Sequence, residues 1–351
     1  MKKSIIALAV LAASGAAMAQ SAVTLYGVAD AFVGSTKKET NSVGQRQTMV
    51  DSAGVNGSRW GLKGAEDLGG GLKAVFQLES GFTLDNGASA QGGALFSRQA
   101  FVGLQSDFGT VSLGRQYSAY DVLHGATTHN YDAATFNATK GASGVFANGL
   151  RNYTDRVDNS IAYTSPNFSG FSGAVVYGFG ENKNATNPNS GVVSSSKATD
   201  NASVHLKYAN GPLLVGYAYQ EEKMAPDFVG TGFSQRTIKY NLIGGTYDFG
   251  VAKLVGSYNT AKLGTTKDKE AQVGVSVPFG AAAISAGYAR SKSDAAGGVS
   301  HTGKGYSILG TYDLSKRTRL YAGAQNTKAH VLNATPETET TTYGLGVRHS
   351  F

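Results

Sequence analysis

The feature that most limits what this chain can fold into is an apolar/polar alternation that runs to its last residue. Tyr343, Leu345, Val347 and Phe351 share one parity, and Gly344, Gly346, Arg348 and Ser350 the other. That is the period of a strand with one greasy and one wet face. In this sequence nothing follows Phe351 to cover the edge of such a strand, and unpaired edges invite aggregation. Pairing the last strand with the first closes the sheet into a barrel and removes the edge. In lipid that closure is compulsory, because no water is present to satisfy free backbone groups.

The first 19 residues do not share the pattern. Lys2 and Lys3 make a basic start, Ile5 to Ala13 an apolar core, and Ala17-Met18-Ala19 a small-x-small exit before Gln20, the layout of an export signal. The apolar core is too short to span a bilayer as a helix. Cleavage after Ala19 leaves residues 20–351 as one unit. That unit is expected to be a single barrel without cysteine chemistry, since the chain has no cysteine. The 47 glycines, 18 tyrosines and only 6 prolines, with no long apolar run after residue 41, match alternating strands better than membrane helices. Removing Lys2 and Lys3 lowers the formal charge of +7 to +5. The cations are scattered rather than gathered with aromatics on one face, so no nucleic-acid partner is expected.

Tight turn signals recur at Asp67 to Gly70, Asp107 to Gly109, Pro166 to Gly170, Asn210 to Pro212, Asp248 to Gly250, Pro278 to Gly280 and Asp313 to Lys316. Asx and Gly supply the positive φ angles and local caps that such hairpins need. Longer polar connections fall near 36–45, 83–94, 118–156, 182–199, 222–233, 262–268, 293–302 and 329–338. Eight long connections alternating with seven short turns predict sixteen strands, starting at Val23, Met49, Leu72, Leu95, Thr110, Val157, Phe171, Ala202, Leu213, Arg236, Val251, Lys269, Ala281, Lys304, Thr318 and Glu339. The fold class is therefore all-β, a 16-stranded antiparallel transmembrane β-barrel. An even count brings both termini to the short-turn, periplasmic end.

Parity tests this reading, because a Lys or Arg facing lipid at the midplane costs roughly 2–4 kcal/mol. Leu72, Ala74, Phe76 and Leu78 oppose Lys73, Gln77 and Glu79; Phe171, Val175, Tyr177 and Phe179 oppose Ser172, Ala174 and Gly178. Leu213, Val215, Tyr217 and Tyr219 form a third apolar face, and Val273, Val275 and Val277 a fourth. Charges stay off the apolar parity in all of them. Phe108, Phe168, Phe249, Phe279 and Phe351 sit near strand ends, where interfacial aromatic girdles belong. A soluble β-sandwich would use them in its core, but it would need a second apolar layer.

Several stretches are specific. Val23-Thr24-Leu25-Tyr26-Gly27, the run from Ser58-Arg59-Trp60-Gly61-Leu62-Lys63-Gly64 through Ala74, Ser97-Arg98-Gln99-Ala100-Phe101-Val102-Gly103-Leu104, Leu113-Gly114-Arg115-Gln116 and the terminal Phe351 resemble trimeric Gram-negative general porins of the neisserial and beta-proteobacterial branch. The Pro-Glu-Phe-Gly-Gly stretch of enteric porins is missing, so details of that branch are not carried over. The resemblance implies a homotrimer of sixteen-stranded barrels in the outer membrane, each with a water-filled pore. It also implies contact with outer-membrane lipid and lipopolysaccharide, and a terminal aromatic, Phe351, read by the outer-membrane assembly machinery.

A barrel of this size is too wide to discriminate small ions by itself. The longest connection, Ser118 to about Arg156, carries Tyr120, Val122, Leu123, Tyr131, Phe136, Val145, Phe146 and Tyr153, enough apolar anchors to pack on a wall. The resemblance places it inside the barrel as an eyelet; without it, an external flap is the alternative. Arg59 shares parity with Gly61 and Lys63 and is expected in the lumen. Arg98 shares parity with Ala100, Val102 and Leu104, and Arg115 with Val111 and Leu113. Either both lie above the hydrocarbon belt or a bulge re-aims them inward; the resemblance implies basic wall residues at Arg59 and Arg98. Arg151 and Arg156 would complete the basic cluster, with Glu79, Asp121 and Asp132 as facing acids.

No His-Glu-x-x-His or Gly-x-Ser-x-Gly pattern occurs, the six histidines lack metal-ligand spacing, and Gly69 to Gly71 leads a strand rather than a phosphate-cradling helix. No catalytic residue, metal or cofactor is expected. Fixed arginines in a narrow aqueous pore favour anions. The expectation is passive diffusion of ions and small hydrophilic solutes with a modest anion preference. The alternative is a substrate-specific channel for small anionic nutrients.

Overall fold

The structure is a computed structural model describing residues 22–41, 43–130, 132–139, 153–180, 184–186, 193–195, 200–223, 237–294, 300–331 and 337–351. The expected export signal, residues 1–19, lies outside them. The strands open with β1 (Ala22–Thr40), β2 (Val43–Ser52), β3 (Arg59–Gly69), β4 (Leu72–Gly81), β5 (Gln99–Ser106) and β6 (Gly109–Tyr117). A helix, α1 (Ala119–Thr127), precedes β7 (Arg156–Thr164) and β8 (Phe171–Gly178). A separate small hairpin, β9 (Asn184–Thr186) with β10 (Val193–Ser195), follows. The remainder are β11 (Asn201–Asn210), β12 (Leu213–Lys223), β13 (Thr237–Asp248), β14 (Lys253–Leu263), β15 (Thr266–Phe279), β16 (Ala282–Asp294), β17 (Ser300–Asp313), β18 (Thr318–Val331) and β19 (Thr338–Ser350).

Every neighbouring pair is antiparallel, and the sheet closes on itself. The β1 and β19 strands pair from Val28↔Ser350 to Thr40↔Thr338. Phe351 then continues the seam, donating its amide to the Gly27 carbonyl at 3.1 Å and accepting from the Gly27 amide at 3.0 Å. A Cβ on Gly27 would collide with the Phe351 ring, so the terminal aromatic lies flat only because residue 27 has no side chain.

The sheet holds seventeen strands, yet it has sixteen staves. The short strands β2 and β3 share one stave: β2 pairs with Ala31 to Thr40 of β1, and β3 with Ala22 to Val28. Asp30, fully buried, holds the break between them. Its carboxylate accepts the amides of Gly54 at 2.9 Å, Val55 at 3.2 Å and Asn56 at 2.9 Å, and the Tyr321 hydroxyl at 2.6 Å. Those amides lie where no ladder partner exists, and a buried N–H without an acceptor would cost about 1–3 kcal/mol.

The outward parity is apolar, as the alternation requires. Leu345 is 67% exposed, Ile243 61% and Val273 52%, while inward neighbours such as Leu242, Gln220 and Asn259 are fully buried. Among the described residues no helix is long and apolar enough to cross a membrane; strands make the crossing.

Two expected long connections are tight turns. The β1 strand runs to Thr40 and β2 starts at Val43, and β14 ends at Leu263 with β15 starting at Thr266. Polar alternation reads as loop in both places, but strands that rise beyond the lipid stay paired in water with both faces polar. Gly264 at φ +59 makes the second turn. The fourth stave also starts later than Leu95: β5 begins at Gln99.

Candidate pore constriction

The described part of the long third connection runs along the inner wall as an arc. It leaves β6 at Ser118, whose hydroxyl caps α1 by accepting the Asp121 amide at 3.1 Å. Ala119 donates to Ser203 Oγ at 2.9 Å, and its carbonyl meets His205 Nδ1 at 2.8 Å. Tyr120 and Leu123 pack with Ala218, Ile238, Tyr240 and Leu242 of the wall. Farther along, Gln272 donates to the Thr127 carbonyl at 2.7 Å and accepts the His129 amide at 3.3 Å. Phe136 ends on Phe32, Leu309 and Tyr321. Ala134 and Phe136 then donate to the carbonyls of Ala53 and Gly54 at 3.1 and 3.2 Å, tying the arc to the break held by Asp30.

The wall is notched to receive it. A Cβ at Gly216 would lie 2.6 Å from Leu123, one at Gly244 2.6 Å from Thr127, and one at Gly323 2.6 Å from Phe136. Gly274 and Gly287 both abut the His129 ring. Real Cβ atoms do not approach so closely, so these inward positions must be glycine for the arc to sit where it does. His129 is buried, and neither ring nitrogen finds a hydrogen-bond partner. Burial alone pulls its pKa from 6.5 to about 4.

The sector spanning β3 to β6 carries cations instead. Glu79 gathers three of its neighbours: Arg98 Nε at 2.6 Å, the Tyr26 hydroxyl at 2.9 Å and Arg59 Nε at 3.7 Å. The Tyr117 hydroxyl accepts from Arg98 Nη2 at 2.7 Å and from Arg156 Nη2 at 3.0 Å, and its ring centroid lies 4.6 Å from the Arg156 guanidinium carbon. Such charge-assisted bonds hold the guanidinium planes in fixed orientations.

The sequence-predicted residues therefore separate. Arg59 and Arg98 come together on Glu79, and Tyr117 links Arg98 to Arg156, which is also paired to Asp155 at 2.7 Å. Arg98 points inward although its parity is apolar, because the regular ladder ends at Gln99 and the Arg98 amide donates to the Glu79 carbonyl. Arg115 does not join them. It sits opposite Ala100, next to a register shift between Gly114 and Gln116, and pairs with the exposed Asp158 at 2.5 Å. Its parity is that of Val102 and Leu104, on the outer face near the long-loop end. Asp121 accepts the Tyr153 hydroxyl at 2.6 Å, and Tyr153 in turn meets His124 Nδ1 at 2.7 Å. Asp132 is exposed and accepts from Asn56 at 3.2 Å. Arg151 lies outside the described residues, as do Tyr131, Val145 and Phe146 of the expected anchors. Val122 is exposed rather than an anchor.

Sequence reasoning missed Asp30, Tyr117, Arg319 and Arg348. Asp30 shares the inward parity of Val28 and Phe32, an acid amid apolar residues, and that signal was available. A cavity bordered by Asn56, Tyr117, Asp121, Asp132, Thr311 and Arg319 joins the arc to the wall. Among the described residues no group of three His, Asp or Glu is placed to hold a metal.

A closed barrel, oily outside and polar inside, with an internal arc across its bore, defines a transmembrane channel. This chain belongs to the Gram-negative porin family, whose model matches residues 6–331. It is 34% identical to an outer membrane porin protein of Bordetella pertussis over 100% of both chains. It is also 34% identical to outer membrane porin protein 32 of Delftia acidovorans, over 92% of this chain and 88% of that one. Among solved structures it is similar to an anion-selective porin from Comamonas acidovorans, with TM-score 0.76 and 27% identity over 95% of this chain and 100% of that one. The trimer form of OmpT of Vibrio cholerae, at TM-score 0.68 and 17% identity over 94% and 99%, shares the fold. Family and fold are those of an outer-membrane channel.

Proposed function

We propose that this porin passes ions and small hydrophilic solutes by diffusion, with a modest anion preference set at Arg59, Arg98 and Arg156. The observation that carries the preference is the sharing of one carboxylate, Glu79, by two guanidinium groups, Arg59 and Arg98. That leaves the sector facing the arc cationic, and fixed charge in a narrow aqueous bore biases ion occupancy without chemistry. Asp121 and Asp132 of the arc border a cavity with Tyr117 and Arg319 of the wall, so acids and a cation face the solute there. The anion-selective relative from Comamonas supports the sign. Arg115, outside the cluster, has no part in it.

The trimeric relative from Vibrio supports assembly as a homotrimer, and the exposed apolar belt requires lipid, with lipopolysaccharide at the long-loop end. Residues 1–19 act as the export signal, residues 20–351 form the channel, and Phe351 is the residue the assembly machinery reads. A reversal potential in a KCl gradient across a planar bilayer tests the preference. An anion-directed potential upholds it, and a cation-directed one overturns it while leaving the pore. Liposome swelling that saturates with a single anionic solute would instead favour the substrate-specific channel.

A further inference from the structure

The Glu79 cluster leaves a second set of cations unused. Arg319 and Arg348 sit directly opposite each other on β18 and β19, and both share the inward parity, Arg319 with Tyr321 and Arg348 with Gly344 and Gly346. Directly opposed side chains in an antiparallel ladder start about 5 Å apart at Cβ, and like charges there repel. An arrangement with that cost calls for a compensating anion.

The acids on the same row, Asp30 and Asp313, offset part of that repulsion, but neither fills the donors of Arg348. Asp313, opposite Arg319, is engaged by that residue through two bonds, Nε to Oδ1 at 2.6 Å and Nη2 to Oδ2 at 2.9 Å. Asp30, opposite Arg348, is fully buried and already accepts three amides and the Tyr321 hydroxyl. Among the described residues Arg348 donates no hydrogen bond, and its Nε is buried without a partner. A guanidinium offers five donors in a planar fork matched to carboxylate and phosphate. Because barrel strands tilt, the row climbs obliquely from the short turn before Thr318 towards the break above Arg59. Arg319 borders the cavity beside the arc.

We propose that Arg348, with Arg319 beside it, is a second anion-binding station in the lumen, between the short-turn mouth and the Arg59–Arg98 cluster, taking small carboxylate or phosphate solutes. This goes beyond a general preference for anions and rests on the diffusion-pore reading. A solute carboxylate bridging the two guanidinium groups removes their repulsion and fills the donors of Arg348. An anion therefore meets a second pair of guanidinium groups next to the first cluster, with Arg59 within electrostatic reach of Arg348.

The test is block of single-channel KCl current by potassium succinate in planar bilayers, comparing the wild-type oligomer with Arg348→Gln. The half-blocking succinate concentration should rise roughly tenfold in Arg348→Gln, the weight of a good charge-assisted contact, and Arg348→Lys should fall between. Equal block in wild type and Arg348→Gln overturns the station. Retention of the heat-sensitive oligomer on a denaturing gel shows that each variant has assembled. If Arg348→Gln does not assemble, Asp313→Asn decides: it releases Arg319 and should lower the half-blocking concentration, and no change refutes the proposal. The wild-type reversal potential is read separately. A cation-directed value overturns the selectivity reading alone, and Arg348-dependent succinate block would still uphold the station.

Discussion

Two sectors of the same inner wall do opposite things with the same strand geometry. From β12 to β18 glycines notch the inner wall, and the third connection lies down in the notches: Leu123 on Gly216, His129 on Gly274 and Gly287, Phe136 on Gly323. From β3 to β6 the inward positions are Arg59, Glu79 and the redirected Arg98, braced by Tyr26 and Tyr117, and no described part of the arc covers them. The contrast teaches that a bore is narrowed by subtraction as much as by addition. Removing side chains on one side lets a loop seat, and charge on the other side keeps water and solute there.

The largest test of the contrast strikes the charged sector. Arg98→Ala strips the closest partner from a nearly buried Glu79, at the lower end of the roughly 3–5 kcal/mol seen when one member of a buried pair is removed, since Arg59 and Tyr26 remain. The oligomer should dissociate at a lower temperature on heated gels, and the reversal potential should move towards cations. Unchanged values in both would mean that the cluster neither holds the wall nor biases the pore.

Filling a notch comes next. Gly323→Leu drives a side chain into the Phe136 ring and should cost about 1–3 kcal/mol of local packing, pushing the arc into the bore. Single-channel conductance should fall and become noisy; a wild-type trace would break the idea that glycine seats the arc.

His129 sharpens the same point by titration. Its pKa, lowered by burial from 6.5 to about 4, means the seated form is neutral while a released His129 would bind a proton. Seating is therefore at full strength above pH 6.5 and weakens as pH falls through the window down to about 4, where the loss levels off, at about 1.4 kcal/mol per pH unit. Current noise should grow across that window in wild type and not in His129→Phe.

The smallest effect is expected at Asp132, an exposed carboxylate on the arc. Asp132→Asn should shift the reversal potential slightly towards anions, consistent with the small energies of solvated charges.

The barrel was legible because its signal is local. Alternation at period two marks Val273, Val275 and Val277 as one face whatever lies around them, and Tyr343, Leu345 and Val347 as another. Strand ends were less legible where polar residues stay paired above the lipid, as Lys37 does with Arg46. The break in the second stave was hidden because Ala53 to Ser58 reads as a turn only once Asp30 is known to lie opposite. Arg98 and Arg115 look alike in parity, and a ladder that ends one residue past Arg98 turns one inward while a register shift leaves the other outside.

Alternation and turn chemistry by themselves determined an antiparallel barrel with a lipid face, a water face and one connection long enough to obstruct it. Only the tertiary structure decided which residues meet across the bore: Asp30 with Tyr321, 291 positions away, His129 with Gly274 and Gly287, and Arg348 with a partner that leaves its donors open. The physical reason is that strand period depends on neighbours along the chain, whereas curvature, tilt and register bring together positions whose spacing in sequence carries no record of their contact.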